Sequence, residues 1–191
     1  TPSDISKIFD IFIIFALFVV SGAILFNKEL VVLFTTDAYY SSASLIPILT
    51  MAVFFSNMYI FAPGIAIAKK TKLILIFTAT SAILNIILNY ILIPIFGLNA
   101  AAYATLISSI SVFLIYTILS HRFYPIFYQV KKILLSSMLM LIVSYSLTSI
   151  FYEIKLISII IKMICLLLVP ICCSFFLLEK KYLQKIKLEI S

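Results

Sequence analysis

Asn85 and Asn89 stand in an otherwise apolar run, Asn85-Ile86-Ile87-Leu88-Asn89-Tyr90-Ile91-Leu92-Ile93-Pro94. Lipid offers an amide nothing to bond, so both must face protein or a water-filled path. With Thr78 and Ser81 they recur at steps of three, four and four, which places all four on one face of a helix. Such a face either hydrogen-bonds to neighbouring helices, at roughly 0.6–2 kcal/mol per contact, or lines the route of a polar solute. The residues by themselves leave both readings open. A second polar group, Asn57 and Tyr59, is followed by Pro63 and Gly64. Proline and glycine inside an apolar stretch mark a kink or a locally unwound helix, the latter a common device at transporter sites.

Two charges fall within apolar runs. Asp10 is near the start of the first, and Lys162 is about two turns into the last. Both are expected to snorkel to an interface; inside a bundle, Asp10 would suit a proton or sodium ion and Lys162 an anionic headgroup. Catalytic patterns are missing. The one histidine, His121, has no acid or nucleophile pattern around it, and three glycines cannot build a phosphate loop. Cys165, Cys172 and Cys173 share one apolar helix without ligand spacing and read as small buried hydrophobes. No enzyme activity, metal or cofactor is expected.

The elements that carry these residues follow from composition. Of 191 residues, 64% are hydrophobic and 11% charged, and the mean hydropathy is +1.26. Soluble domains carry about 25% charged residues, so an all-α, polytopic membrane bundle is expected. Six stretches reach the length of a span: Ile8–Phe26, Leu45–Ala68, Leu73–Phe96, Ala100–Leu119, Ile133–Phe151 and Leu156–Leu178. Pro47, Pro63, Pro94 and Pro170 are expected to kink them. The third and fourth form a hairpin around Phe96-Gly97-Leu98-Asn99. The small residues Ala101, Thr105 and Ser109, four apart, let the fourth helix pack closely, with the third as expected partner.

The basic residues orient the bundle. With a cytoplasmic N-terminus, the inside segments hold Lys7, Lys69, Lys70, Lys72, Arg122, Lys131, Lys132, Lys180, Lys181, Lys185 and Lys187, against Lys28 and Lys155 outside. This positive-inside pattern predicts that both ends are cytoplasmic. The net charge of +7 then holds loops against anionic lipid; no nucleic-acid partner is expected. Glu29 to Phe34 in the outer connection Asn27–Ser44 reads as a short interfacial piece, the aromatic and basic loop Ser120–Val130 as lying at the headgroups, and residues 179–191 as a cytoplasmic surface helix. The chain opens on Thr1 without a basic segment before its first apolar run. That is unlike a signal peptide, and a piece of a longer protein is expected.

One stretch resembles a known family. Gly64-Ile65-Ala66-Ile67-Ala68-Lys69-Lys70-Thr71-Lys72, Asn85-Ile86, Leu88-Asn89-Tyr90, Leu92-Ile93-Pro94, Gly97, Ala101-Ala102 and Ala104-Thr105 are similar to the C-terminal half of Wzx-like polysaccharide/O-antigen flippases, of the multidrug/oligosaccharidyl-lipid/polysaccharide exporter superfamily. The similarity is best from Leu45 to Ser109, and span count and spacing extend it to the whole chain. Thr35-Thr36-Asp37 and Asn99-Ala100 depart from it where the family often has glycine.

The resemblance implies one half of a pseudo-symmetric transporter of about twelve or more helices, completed by an N-terminal half. It implies a bacterial inner-membrane protein that flips lipid-linked oligosaccharide by alternating access. Asn57, Tyr59, Thr78, Ser81, Asn85, Asn89 and Lys162 become path candidates, Lys69, Lys70 and Lys72 a basic cytoplasmic mouth, and Asp10 an ion-coupling candidate. Two other functions compete: a drug or metabolite cation antiporter of the same superfamily, which needs buried carboxylates and finds only Asp10, and a polysaccharide polymerase, which needs larger outer loops.

Overall fold

A computed structural model describes residues 2–97, 99–126, 128, 130–150 and 156–177. The described residues are helical throughout apart from short turns, and contain no strand. Among the described residues eight α-helices follow one another: α1 (Pro2–Leu25), α2 (Asn27–Phe34), α3 (Leu45–Asn57), α4 (Gly64–Ile67), α5 (Thr71–Phe96), α6 (Asn99–Phe123), α7 (Val130–Ile150) and α8 (Leu156–Leu177). Two 3-10 helices, Asp37–Ser44 and Met58–Phe61, flank α3. The chain folds as two compact units, residues 1–6 with 30–127 and residues 7–29 with 128–191.

In the first unit α6 is the hub, packed by α3, α4 and α5. Lipid tails are as apolar as leucine, so close backbone approach and hydrogen bonds must hold these helices together. The sequence of α6 suits this: Ala100, Ala102, Ala104, Ser108 and Ser109 are all buried. The predicted packing against α5 is present, but Ser109 serves α3 instead, its hydroxyl 2.8 Å from that of Ser56. Tyr116 closes one end of the unit, packed with Ala62 and Ile65 against Leu73, Ile74, Phe77 and Leu119. The hairpin turns at Gly97, whose φ of 71° is open to glycine and strained for other residues.

The second predicted span, Leu45–Ala68, is not one helix. It runs α3, 3-10 turn, break, α4. The break is at Ala62 (φ −117°, ψ 64°), next to Pro63, which lacks an N–H and disfavours helical geometry in the residue before it. The other prolines do not act this way. Pro47 lies in the first turn of α3 and Pro94 two residues from the end of α5. In the first turn the missing donor of Pro47 matters little, and the one bond that Pro94 removes falls where α5 is about to end.

The break is stapled from α6. Ser120 Oγ accepts the Gly64 N–H at 2.8 Å and donates to the Ala62 carbonyl at 2.6 Å. One hydroxyl thus answers a donor and an acceptor that the interrupted helix leaves over. Gly64 has no alternative here, since a Cβ would overlap the Ser120 carbonyl oxygen. Past α4 the chain turns at Lys69 (φ 56°), with Lys70 N–H bonded to Ile65 O and Lys69 N–H to Ala66 O. This is a Schellman end with lysine where glycine is usual.

The second unit holds α1 from Lys7 onward, α7 and α8. Gly22 of α1 lies against Leu166 of α8, whose methyl carbons would be 3.7 Å from a Cβ at Gly22. On α7 the buried residues Ser136, Met140 and Ser144 step by four. Thr148 extends the row and donates to Ile24 O of α1 at 3.2 Å. Tyr128, before α7, sets its ring tilted against Phe9 with centroids 4.6 Å apart, and burial pushes its phenol pKa up to about 12.

Among the described residues, five helical stretches are long and apolar enough to cross a membrane: Asp4–Leu25, Asp37–Ile67, Thr71–Phe96, Asn99–Phe123 and Val130–Ile150. The sixth predicted span coincides with α8, in which Ile157–Leu168 forms a shorter apolar stretch. The chain is a multi-pass, all-α membrane protein. Expectations for Phe151, Leu178, Lys155, residues 179–191 and the side chains of Pro170, Cys172 and Cys173 lie outside the described residues; Cys165 is half-buried with a free thiol.

Gly64→Ala should destabilise the first unit by about 3 kcal/mol through overpacking against α6 backbone, read as a lower thermal midpoint in detergent. Ser120→Ala, which removes the staple without a clash, should cost about 1–3 kcal/mol for each polar group left bare.

Candidate functional site

The inner face of α5 is set by its half-buried positions: Leu73, Ile74, Phe77, Ser81, Leu84, Asn85, Leu88, Asn89, Leu92 and Ile93. None of its residues is fully buried, so the helix lies along one side of the unit. Ser81, Asn85 and Asn89 belong to this stripe. Thr78 falls at its flank, exposed, and its hydroxyl bonds back to Ile74 O at 2.9 Å.

The two asparagines form one network with α6. Asn85 Nδ2 donates to Thr105 Oγ1 at 3.2 Å and, more weakly, to Ser108 Oγ at 3.4 Å. Asn89 Nδ2 donates to Asn85 Oδ1 at 2.9 Å. Thr105 and Ser108 pass their own protons to the α6 backbone, at Ala101 O and Thr105 O. The chain of donors runs one way, from Asn89 to the α6 backbone, and at its start Asn89 Oδ1 is a buried acceptor with no hydrogen-bond partner among the described residues. Bonding to α6 therefore accounts for the Asn85 donors, whereas Asn89 is tied only to Asn85 of its own helix. The remaining oxygen is a ready acceptor for a hydroxyl or a water, and such atoms in a folded protein call for an explanation.

Asn57 and Tyr59 lie apart from this network, at the broken span. Asn57 is exposed at the end of α3 and donates to Val53 O at 2.8 Å. Tyr59 is 45% exposed, with its ring edge-on to Tyr116 at 5.8 Å. Lys69, Lys70 and Lys72 are exposed around the turn into α5, where no acid occupies the first helical turn. Lys70 Nζ lies 4.2 Å above the Phe123 ring at the far end of α6, a cation–π contact.

In the second unit, Lys162 does not snorkel. It is 2% exposed, and its Nζ meets Glu29 Oε1 at 2.6 Å, with the Phe26 ring 5.9 Å away. Pairing lets the ammonium remain within an apolar helix. Glu29 was not among the site residues expected from sequence. The signal available was its opposite charge near the end of the neighbouring span, which does not by itself specify a pairing across more than a hundred residues. Glu29 Oε2 is buried and lacks a hydrogen-bond partner among the described residues. Asp10 is likewise buried in α1, at 5% exposure.

The fold is that of a multi-pass helical membrane protein, with the asparagine row in one unit and the Lys162–Glu29 pair in the other. No family model, curated protein or solved structure matches the chain.

Replacing Asn85 and Asn89 together by leucine separates the two roles of the network. Lost transport at normal membrane level and thermal midpoint is expected for a path; a fallen midpoint would assign the pair to packing. For the ion pair, Lys162→Met should destabilise by about 3–5 kcal/mol, because it leaves the Glu29 charge buried alone. Lys162→Met with Glu29→Gln should recover most of that loss in the same unfolding assay.

Proposed function

We propose that the chain is the second half of a flippase that carries lipid-linked oligosaccharide repeat units across the bacterial cytoplasmic membrane, for O-antigen or capsular polysaccharide synthesis. The observation that supports this reading most directly is the Asn85–Asn89 row and its unanswered Asn89 oxygen, buried within an apolar hairpin. A sugar is a dense array of hydroxyl donors. Its transfer through hydrocarbon is opposed by the loss of water at every polar group. Amides and hydroxyls on helix faces replace that water step by step, while a polyprenyl tail stays in lipid. The residue pattern from Gly64 to Thr105, similar to that family, supports the same reading.

On this proposal both ends of the chain are cytoplasmic, Lys69, Lys70 and Lys72 flank the inner entrance, and an N-terminal half completes the path. The broken second span supplies non-helical backbone inside the bundle, tolerated in membranes where protein or a water-filled cavity surrounds it. Rocking of two halves about the site would provide alternating access.

A second reading, cation antiport by the same kind of bundle, draws on the burial of Asp10, since exchange of a cation for a proton or sodium needs a carboxylate away from bulk water. One experiment separates them. In a clean deletion of the full-length gene, lipid-linked repeat units should accumulate on the cytoplasmic leaflet and surface polysaccharide should be lost. Normal surface polysaccharide combined with sensitivity to small toxic cations would replace the flippase reading by the antiporter.

A further inference from the structure

The connection between α1 and α3 presents an apolar surface that nothing in its own unit covers. Val31 and Ala43 are buried and hold its two ends. Between them every residue from Val32 to Ser41 is exposed. Five of these ten are large and apolar or aromatic: Leu33 (75% exposed), Phe34 (76%), Tyr39 (60%), Val32 and Tyr40.

The surface is built on regular structure. Thr35 ends α2 by donating both its N–H and its hydroxyl to Val31 O, at 2.9 and 2.7 Å. Tyr39 N–H donates to Thr36 O at 2.9 Å and starts the 3-10 helix. The aliphatic side chains are thus displayed from a helix end and the tyrosines from the turn that follows.

We propose that this segment is an interfacial anchor, with Leu33 and Phe34 inserted at the boundary between lipid headgroups and acyl chains and Tyr39 and Tyr40 at headgroup level. Three features select lipid as the partner. The segment runs from just past one stretch long and apolar enough to cross a membrane (Asp4–Leu25) into the first residues of the next (Asp37–Ile67), so it is held within reach of the boundary. Aliphatic residues followed by tyrosines reproduce the polarity gradient of that boundary, where amphipathic rings concentrate. The only charge from Leu30 to Ser44 is Asp37, and its carboxylate hydrogen-bonds the Tyr40 side chain. With no lysine or arginine present, insertion rests on apolar area and not on anionic lipid. This anchor is independent of what the protein transports.

The chain contains no tryptophan, so Leu33→Trp and Phe34→Trp, one at a time in the full-length protein, report the site as a fluorescence difference from the parent. Both positions are exposed, so the larger ring displaces no packing. In phosphatidylcholine vesicles brominated high on the acyl chains, each reporter should emit to the blue and lose at least half its intensity. Deeply brominated lipid should quench it less. The quenching should be equal at about 0.1 M and about 1 M salt, which screens charge but not apolar contact. Red emission quenched by iodide would place the segment in water and overturn the proposal. Blue emission indifferent to brominated lipid would show a protein cover and overturn it too. Iodide quenching relieved by a soluble oligosaccharide would make the tyrosines a sugar platform and equally reject the anchor.

Discussion

Hydrocarbon forms no hydrogen bonds, and the arrangement of the first unit follows from answering polar groups without water. The demand is sharpest where the second span breaks, because Pro63 interrupts the ladder and leaves backbone groups over. Ser120, more than fifty residues away, supplies both an acceptor and a donor through a single hydroxyl. That requirement fixes the approach of α4 to α6, which in turn admits only glycine at position 64. A water-soluble protein could leave such a break to solvent; a membrane protein must bring a partner helix to it.

The same constraint acts on charge in the second unit. An ammonium alone in an apolar helix would be costly by several kcal/mol, and pairing with Glu29 reduces the problem to that of a dipole. The asparagine network differs in kind. Each of its side chains makes at least one bond, but the Asn89 oxygen is left over. Structural and transport roles are thus compatible within one pair of amides.

Periodicity and composition made the helices and the hairpin at Gly97 legible and marked Pro63 and Gly64 as a kink or an unwound turn, since each depends on residues within a few turns. Whatever depended on pairing between distant segments was not. Ser120 looked like a loop residue because hydropathy falls at His121 and Arg122, yet α6 continues to Phe123 and buries it. Ser109 was assigned to the wrong neighbour because spacing specifies a face, not the helix that meets it. Thr78 has the spacing of the polar stripe, but its hydroxyl turns to its own backbone. Lys162 was visible as an anomaly and Glu29 was not, because an acid just past the end of a span is ordinary.

That habit of turning inward is widespread. Thr50, Thr78, Thr80, Ser111, Ser146 and Thr148 each bond the carbonyl one turn earlier in their own helix. A hydroxyl so engaged carries no unsatisfied donor into the bilayer. Within the insertion machinery, where a helix is sampled before its neighbours exist, these residues partition as small apolar ones do. In α7, rich in serine and threonine, such bonds leave fewer hydroxyls for a neighbour to answer, whereas Asn85 of α5 is answered by Thr105 and Ser108 of α6. The order in which the hairpin's two arms are made is then also the order in which its polar groups become tolerable.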